Sequence, residues 1–128
     1  MTDDMDARFR AITHKLWGED EGEDIYQWIV RTRPPAFHEK LIAVMVPIWE
    51  LDKVDLKTKI LCAISLFTGL HRSEVEFFFK MAAYHEIPRE EVEEILMLTG
   101  LEAGFPTAEK AIEIMVRVYE EQDAKKKG

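Results

Sequence analysis

Apolar side chains recur at helical spacing along nearly the whole chain, and this periodicity limits the fold more than any other feature. Residues three and four positions apart lie on one face of an α-helix, whereas a half-buried strand alternates apolar and polar residues. Only weak strand-like alternation is present. The sequence therefore predicts an all-α protein of about six to seven helices.

Turn and cap residues divide the pattern into helical segments. We predict helices at 4–16, 23–32, 36–51, between the N-cap Asp55 and Gly69, at 73–85, at 88–98 and from residue 106 onward. The acidic stretch 18–22 is expected to be a loop, and Pro47 is expected to kink or break the third helix. Ser73 and Glu76 fit a capping box. The segments form one domain over 1–128, with a frayed lysine tail at 122–128.

Charge and cysteine content exclude several classes of function. The 128 residues include 17 Lys and Arg against 25 Asp and Glu, a formal net charge of −8. Because this field repels phosphate backbones and anionic lipids, neither nucleic acid nor a membrane is expected as a partner. Cys62 is the single cysteine, so an intrachain disulfide, a CxxC pair and a multi-cysteine zinc site are excluded.

The remaining global features indicate an intracellular protein without a metal. The first residues are acidic, unlike a secretory signal, and no run of about 18 apolar residues is present. The four histidines form neither an HxxxH nor an HExxH pattern. We expect a cytoplasmic protein that uses no metal and no cofactor, and in which Cys62 is a small core residue.

Candidate chemistry is concentrated near the predicted start of the fifth helix. His71, Arg72 and Glu74 lie within four residues. A carboxylate beside an imidazole raises the pKa of the imidazole, which lets it act as a general acid or base near neutral pH. The same residues also fit an ordinary solvated helix start. The aromatic residues at 77–79 have two interpretations. They line a pocket beside these residues, or they belong to the core or to an oligomer interface.

A second group of cations precedes a predicted bend. Arg31 and Arg33 stand just before Pro34 and Pro35, where two guanidinium groups can reach one anion. The alternative is a basic loop that pairs with another subunit. Three consecutive phenylalanines cannot all face one core, so we expect the chain to self-associate.

Three stretches resemble the carboxymuconolactone decarboxylase and AhpD-like family. LDKVDLKTK at 51–59 resembles the family's "L-x-x-K-T-R/K-E-L", and IPREEVEEI at 87–95 resembles its "G-x-(T/S)-x-E-E-I-x-E-A". GFPTAEKA at 104–111 resembles "G-x-P-x-x-x-x-A". The resemblance covers about 41–120, behind N-terminal helices at 4–32. It implies a compact helical domain that assembles as a homo-trimer or homo-hexamer, with its active site near His71.

The resemblance also maps functional residues onto this chain. The cysteines of the family's CxxC peroxidases fall on His71 and Glu74, their histidine on Phe78 and their glutamate on Ile60. Peroxidase chemistry needs a reactive thiolate and a resolving partner, so a CxxC peroxidase is not expected. Decarboxylase members keep a glutamate and a histidine on one helix; Glu74 matches the glutamate, and Phe78 replaces the histidine.

Two functions follow from these residues. In the first, the protein is a carboxymuconolactone decarboxylase-like lyase acting on a small cyclic carboxylic acid, with His71 and Glu74 transferring protons. Arg72, Phe78 and the Arg31/Arg33 pair would bind the anionic substrate. In the second, the chain is a non-catalytic oligomeric module for ligand binding or interaction, because the family's catalytic residues have been replaced.

Overall fold

The computed structural model describes residues 3–127, and over this range the fold contains seven helices and no strand. The helices are α1 (Asp3–Trp17), α2 (Glu19–Thr32), α3 (Pro35–Trp49), α4 (Leu56–Gly69), α5 (Val75–Tyr84), α6 (Arg89–Ala103) and α7 (Phe105–Lys127). The all-α prediction is confirmed. Within the described range, no helix combines the length and the apolar character that crossing a bilayer requires.

The acidic stretch at 18–22 is helical, so the prediction of a loop there was wrong. Gly18, at a φ of 91°, is the only interruption between α1 and α2. The acidic side chains that follow it occupy the first turn of α2. Negative charge is favourable at a helix N-terminus, where unpaired N–H groups and the helix dipole give a partial positive charge. The same charges that suggested a solvated loop therefore stabilise the helix start.

Of the two outcomes expected at Pro47, a break in α3 was wrong, while a kink there stays a prediction. Pro47 does not break the helix, which continues to Trp49. It lies in the last turn, so the hydrogen bond that its missing N–H cannot make is lost only two residues before the helix ends. The fully buried side of α3 is one narrow face. Its buried residues are His38, Ile42 and Val46, which lie four positions apart on one face.

The chain divides into two compact units, Met1–Lys53 and Val54–Gly128. In the first unit, α1 packs against both α2 and α3. The core of this unit contains Phe9, Tyr26, Ile42 and Val46. The division falls after Lys53, whereas the family-like core was expected to begin near residue 41. That all of 1–128 folds as one domain stays a prediction.

In the second unit, α4 and α6 lie side by side and run parallel. Lys57 Nζ is 2.6 Å from Glu91 Oε1, and Ser65 Oγ is 2.7 Å from Thr99 Oγ1. Both pairs are 34 residues apart in sequence, and this constant offset requires the two helices to point the same way. The side chain of Asp55 accepts a hydrogen bond from Thr58 N at 3.1 Å, which confirms the predicted N-cap of α4.

The long helix α7 packs against α4, α5 and α6. Tyr119 is buried, and its hydroxyl donates to the Ile87 carbonyl at 2.7 Å. Arg117 Nη2 lies 2.6 Å from Glu76 Oε1 and ties α7 to α5. The helix continues to Lys127, so the lysines that were expected to fray are helical up to that residue.

Candidate functional site

The connection between α4 and α5 places the predicted site residues on a tight turn. Its backbone amides fold back on the end of α4: His71 N donates to Thr68 O at 3.1 Å, and Arg72 N donates to Phe67 O at 2.9 Å. His71 has a φ of 59°, in the left-handed region that non-glycine residues rarely adopt. Glu86, at a φ of 58°, closes α5 with the same pair of backbone hydrogen bonds, so the conformation of His71 is that of a common helix C-terminal cap.

Helix α5 begins at Val75, so His71 and Glu74 both precede it and do not share a helical turn. The predicted capping box is also absent: the N-cap position is Glu74, and no side chain caps the helix there. His71 contacts α7 instead. The hydroxyl of Thr107 is 3.3 Å from His71 Nδ1 and 3.4 Å from Nε2, a long contact that holds the ring toward the start of α7.

A cavity of about 360 Å³ opens between this turn and the first turns of α7. We call it the His71 cavity. Its polar lining residues are Thr68, His71, Arg72, Ser73, Thr107 and Lys110. Its apolar lining residues are Val75, Pro106, Ala111 and Ile114. The volume lies at the lower end of the range for small-molecule sites.

The charged side chains that line the His71 cavity are of one sign, although Lys110 Nζ also lies 3.7 Å from Glu113 Oε2, which is outside the lining. Arg72 and Lys110 are both exposed, and His71 stands with them at the surface. Among the described lining residues there is no aspartate or glutamate, although the whole chain carries a net charge of −8. A guanidinium and an ammonium group next to hydroxyl groups are suited to holding a carboxylate. The arrangement therefore favours a small organic anion.

One lining residue has a hydroxyl that is closed off from solvent. Thr68 lies in the last turn of α4 and is only 3% exposed. Its Oγ1 is buried and has no hydrogen-bond partner. The other polar groups of the lining are more accessible to solvent.

Two residues that the sequence assigned to the site do not line this cavity. Glu74 is exposed and stands outside the described lining. Phe78 is half-buried, and its ring stacks on Phe67 with the centroids 4.7 Å apart. Phe78 therefore contributes to packing between α4 and α5.

The two other predicted anion-binding residues belong to the first unit. Arg31 Nε donates to the Gln27 carbonyl at 3.3 Å. The Arg33 guanidinium lies 4.4 Å above the Trp28 ring and also donates to Thr32 Oγ1 at 2.9 Å. These contacts support the end of α2.

Sequence reasoning missed Lys110, Thr107 and Thr68. The first two fall inside the GFPTAEKA stretch, which was interpreted as a helix start and as a family-like motif, with no residue of it assigned to the site. Thr68 is one of only two hydroxyl residues, with Ser65, in the apolar second half of α4, and this was the available signal. Cys62 was expected in the core and is exposed, so that prediction was wrong.

A charged cluster in the first unit joins α1 to α2. The Glu23 carboxylate accepts hydrogen bonds from Arg10 Nε at 2.8 Å, His14 Nε2 at 2.7 Å and Gln27 Nε2 at 3.0 Å. The Arg10 hydrogen bond, followed by those from Gln27 and His14, lowers the pKa of Glu23 from 4.5 to about 2. The partners of Glu23 are side chains of α1 and α2 themselves, so we interpret this cluster as structural.

No family model, curated protein or solved structure matches the chain. The functional interpretation therefore rests on the His71 cavity itself and on the sequence motifs.

Proposed function

We propose that the protein binds a small cyclic carboxylic acid in the His71 cavity and decarboxylates it, as a lyase similar to carboxymuconolactone decarboxylase. The observation that carries the proposal is the cationic lining of a small cavity on an acidic chain. The three motifs in family order support the reaction class.

Cationic and apolar lining residues bind different parts of the acid. Arg72 and Lys110 hold the carboxylate, since both are cationic and reach the cavity from opposite sides, the turn after α4 and the start of α7. Val75, Ala111 and Ile114 supply an apolar surface against which a carbon ring packs. Only a small acid fits, because the cavity is about 360 Å³.

The reaction requires a proton donor but no cofactor. The bond between the ring carbon and the carboxylate breaks, CO2 leaves, and the electron pair stays on the ring as a carbanion or enolate. His71 gives its proton to that carbon and is protonated again from solvent. His71 is the imidazole in the lining, and in this proposal it acts without the Glu74 that the sequence had paired with it.

The test is CO2 release from carboxymuconolactone by the wild-type protein and two variants. His71→Gln is expected to lower the rate by about 100-fold or more, the usual contribution of a general acid. Glu74→Gln is the matched control: it changes a neighbouring exposed residue outside the cavity lining and is expected to keep the wild-type rate. Equal rates for His71→Gln and wild type would contradict the assignment.

A second candidate is binding without turnover. It is favoured by the lack of a carboxylate among the described lining residues, since the imidazole contacts only the Thr107 hydroxyl there and has no carboxylate to return a proton to it. Calorimetric binding of the lactone acid without CO2 release would select this function. Release of CO2 that depends on His71 would exclude it.

We also propose that the chain forms a homo-trimer or homo-hexamer, in the cytoplasm, and that α4 and α6 supply the contact surface. Leu66, Leu98 and Leu101 are each more than half exposed. Leu66 and Leu98 flank the Ser65–Thr99 hydrogen bond on the side away from the core. No charged residue occurs at 60–70 or 95–101, so copies of an acidic chain are not repelled there.

This surface differs from the one the sequence suggested. Phe79 is fully buried, and Phe77 and Phe78 are each half-buried. The three phenylalanines of α5 are therefore largely covered within the chain. Most of the apolar side chains of the second unit that are more than half exposed lie on α4 and α6, while Leu70 follows α4 and Phe105 begins α7. Covering a half-exposed leucine contributes on the order of 1 kcal/mol.

A further inference from the structure

Helix α3 is apolar on two opposite faces. Its inner face is buried in the core of the first unit. On its outer face, Phe37, Val44 and Ile48 are 57%, 64% and 56% exposed. No charged residue occurs at 41–49. A helix at the surface of a monomeric protein normally carries polar residues on its outer face, so the outer face of α3 is suited to contact with another protein surface.

The apolar area of this face is large enough to form the centre of an interface. Three large side chains that are each more than half exposed present roughly 300 Å² of apolar surface, about as much as a monomeric protein usually leaves uncovered. The apolar surface of α4 and α6 also has three such side chains, Leu66, Leu98 and Leu101. Stable interfaces combine an apolar centre of this kind with a polar rim.

The two apolar surfaces are complementary in shape. The outer face of α3 is one side of a single helix and is therefore convex. Helices α4 and α6 run side by side and are joined between Ser65 Oγ and Thr99 Oγ1 at 2.7 Å, so a groove lies between them. Leu66 and Leu98 stand on either side of this groove. A single helix with an apolar face packs into a groove between two neighbouring helices.

The charged residues beside the two surfaces have opposite signs. Lys40 is exposed on the outer face of α3, four residues before Val44. Glu94 and Glu102 are exposed on α6, four residues before and four residues after Leu98. Residues four apart share one face of a helix. When Val44 lies against Leu98, Lys40 therefore comes near one of the two carboxylates, whichever way α3 runs.

We propose that the outer face of α3 in one copy of the chain packs into the groove between α4 and α6 of the next copy. The contact joins two different surfaces, so each copy has two neighbours and the copies close into a ring, as a trimer requires. This inference rests on the proposed self-association through α4 and α6, and it assigns the surface of the neighbouring copy that they contact.

Light scattering of the full chain and of single variants tests the role of α3. Val44→Glu places a charge on its outer face and is expected to be monomeric under conditions in which the wild type is oligomeric, as Leu98→Glu is on α6. Phe37→Glu tests the same face in the first turn of α3, where a carboxylate favours the helix. Ala11→Glu is the matched control, because it adds the same charge at an exposed position of α1 and is expected to keep the wild-type mass.

Mixing two of the variants shows which surfaces pair. Val44→Glu keeps an intact groove, and Leu98→Glu keeps an intact outer face of α3. An equimolar mixture of these two monomers is therefore expected to form a complex of two chains through one intact interface. If like surfaces paired instead, each variant alone would form a homodimer through its intact surface, and mixing would form no new complex.

The outcomes separate this inference from the proposals on which it rests. If Val44→Glu and Phe37→Glu stay oligomeric while Leu98→Glu is monomeric, the role of α3 is wrong and self-association through α4 and α6 stands. Monomeric variants that form no complex when mixed would also overturn the pairing. A monomeric wild type would contradict both the pairing and the oligomer. None of these measurements involves the His71 cavity, so acid binding is decided independently.

Discussion

The close packing of α1 against α2 predicts that a side chain added at Gly22 lowers the free energy of unfolding. A Cβ atom added to Gly22 would lie 2.4 Å from Thr13 O and 2.7 Å from His14 Cα. Both atoms are backbone atoms of α1, so no side-chain rotation relieves the overlap. The substitution Gly22→Ala therefore forces α1 and α2 apart.

The expected cost follows from two opposing effects. Overpacking of this kind costs about 1 to 3 kcal/mol, and we take the upper end because the backbone has to move. Alanine recovers about 1 kcal/mol through its higher helix propensity. The free energy of unfolding should fall by about 2 kcal/mol.

Gly69→Ala is the matched control in the second unit. Its added Cβ would meet only the Ala103 and Thr99 side chains at 4.0 Å, which is ordinary contact distance. With no overlap to offset it, the helix propensity of alanine should leave the protein as stable as wild type or up to about 1 kcal/mol more stable.

Urea unfolding followed by tryptophan fluorescence measures the effect directly. All three tryptophans, Trp17, Trp28 and Trp49, belong to the first unit and so report on the packing that contains Gly22. Far-UV circular dichroism reports both units, and coincident transitions by the two probes would support the prediction of a single domain. A Gly22→Ala variant as stable as wild type would refute the close approach of α1 and α2.

Three further predictions concern other parts of the chain. Tyr119→Phe should lower the free energy of unfolding by about 1 to 3 kcal/mol in urea titrations, because the buried Ile87 carbonyl loses its donor. Leu98→Glu should convert the oligomer to monomers in light scattering, since it puts a charge into the apolar surface of α4 and α6. Glu23 has a pKa of about 2 in the folded state against an ordinary 4.5, so its contribution to stability is present above pH 4.5 and is lost as the pH falls toward 2. Glu23→Gln should therefore lose stability less steeply than wild type across that window, which fluorescence-detected unfolding at a series of pH values would show.

The sequence predicted the fold class and several helix ends because those signals are local. The Asp55 N-cap and the helix start after Pro88 depend only on residues within one turn. The loop expected at 18–22 failed because acidic residues suit both a solvated loop and a helix N-terminus. Local composition cannot choose between those two states.

The side of a helix that is buried was harder to predict. Helix α4 is apolar nearly all round, so its periodicity does not show which face meets the core. Cys62 and Leu66 lie on the exposed face, while Ile60 and Ile64 are fully buried. The packing of α4 against α5, α6 and α7 determines which of its faces is buried. The sequence of α4 alone does not contain that information.

The candidate site was predicted in part, since His71 and Arg72 line the cavity. The other side of the cavity comes from Thr107 and Lys110, more than thirty residues further along the chain. Their approach depends on how the start of α7 packs near the end of α4. The sequence motif around Pro106 indicated that a helix starts there. It did not indicate that this start lies near the end of α4.

Calorimetric titration of 5-oxotetrahydrofuran-2-carboxylate into wild type and an Arg72→Gln, Lys110→Gln double variant tests the central claim most directly. Both cations are exposed, so solvent screening reduces their contribution, and we expect the double variant to bind about tenfold more weakly. Binding should also weaken as salt is added to the wild type. Equal affinity of the two proteins, or no binding by the wild type, would contradict the assignment of the His71 cavity as a site for a carboxylic acid.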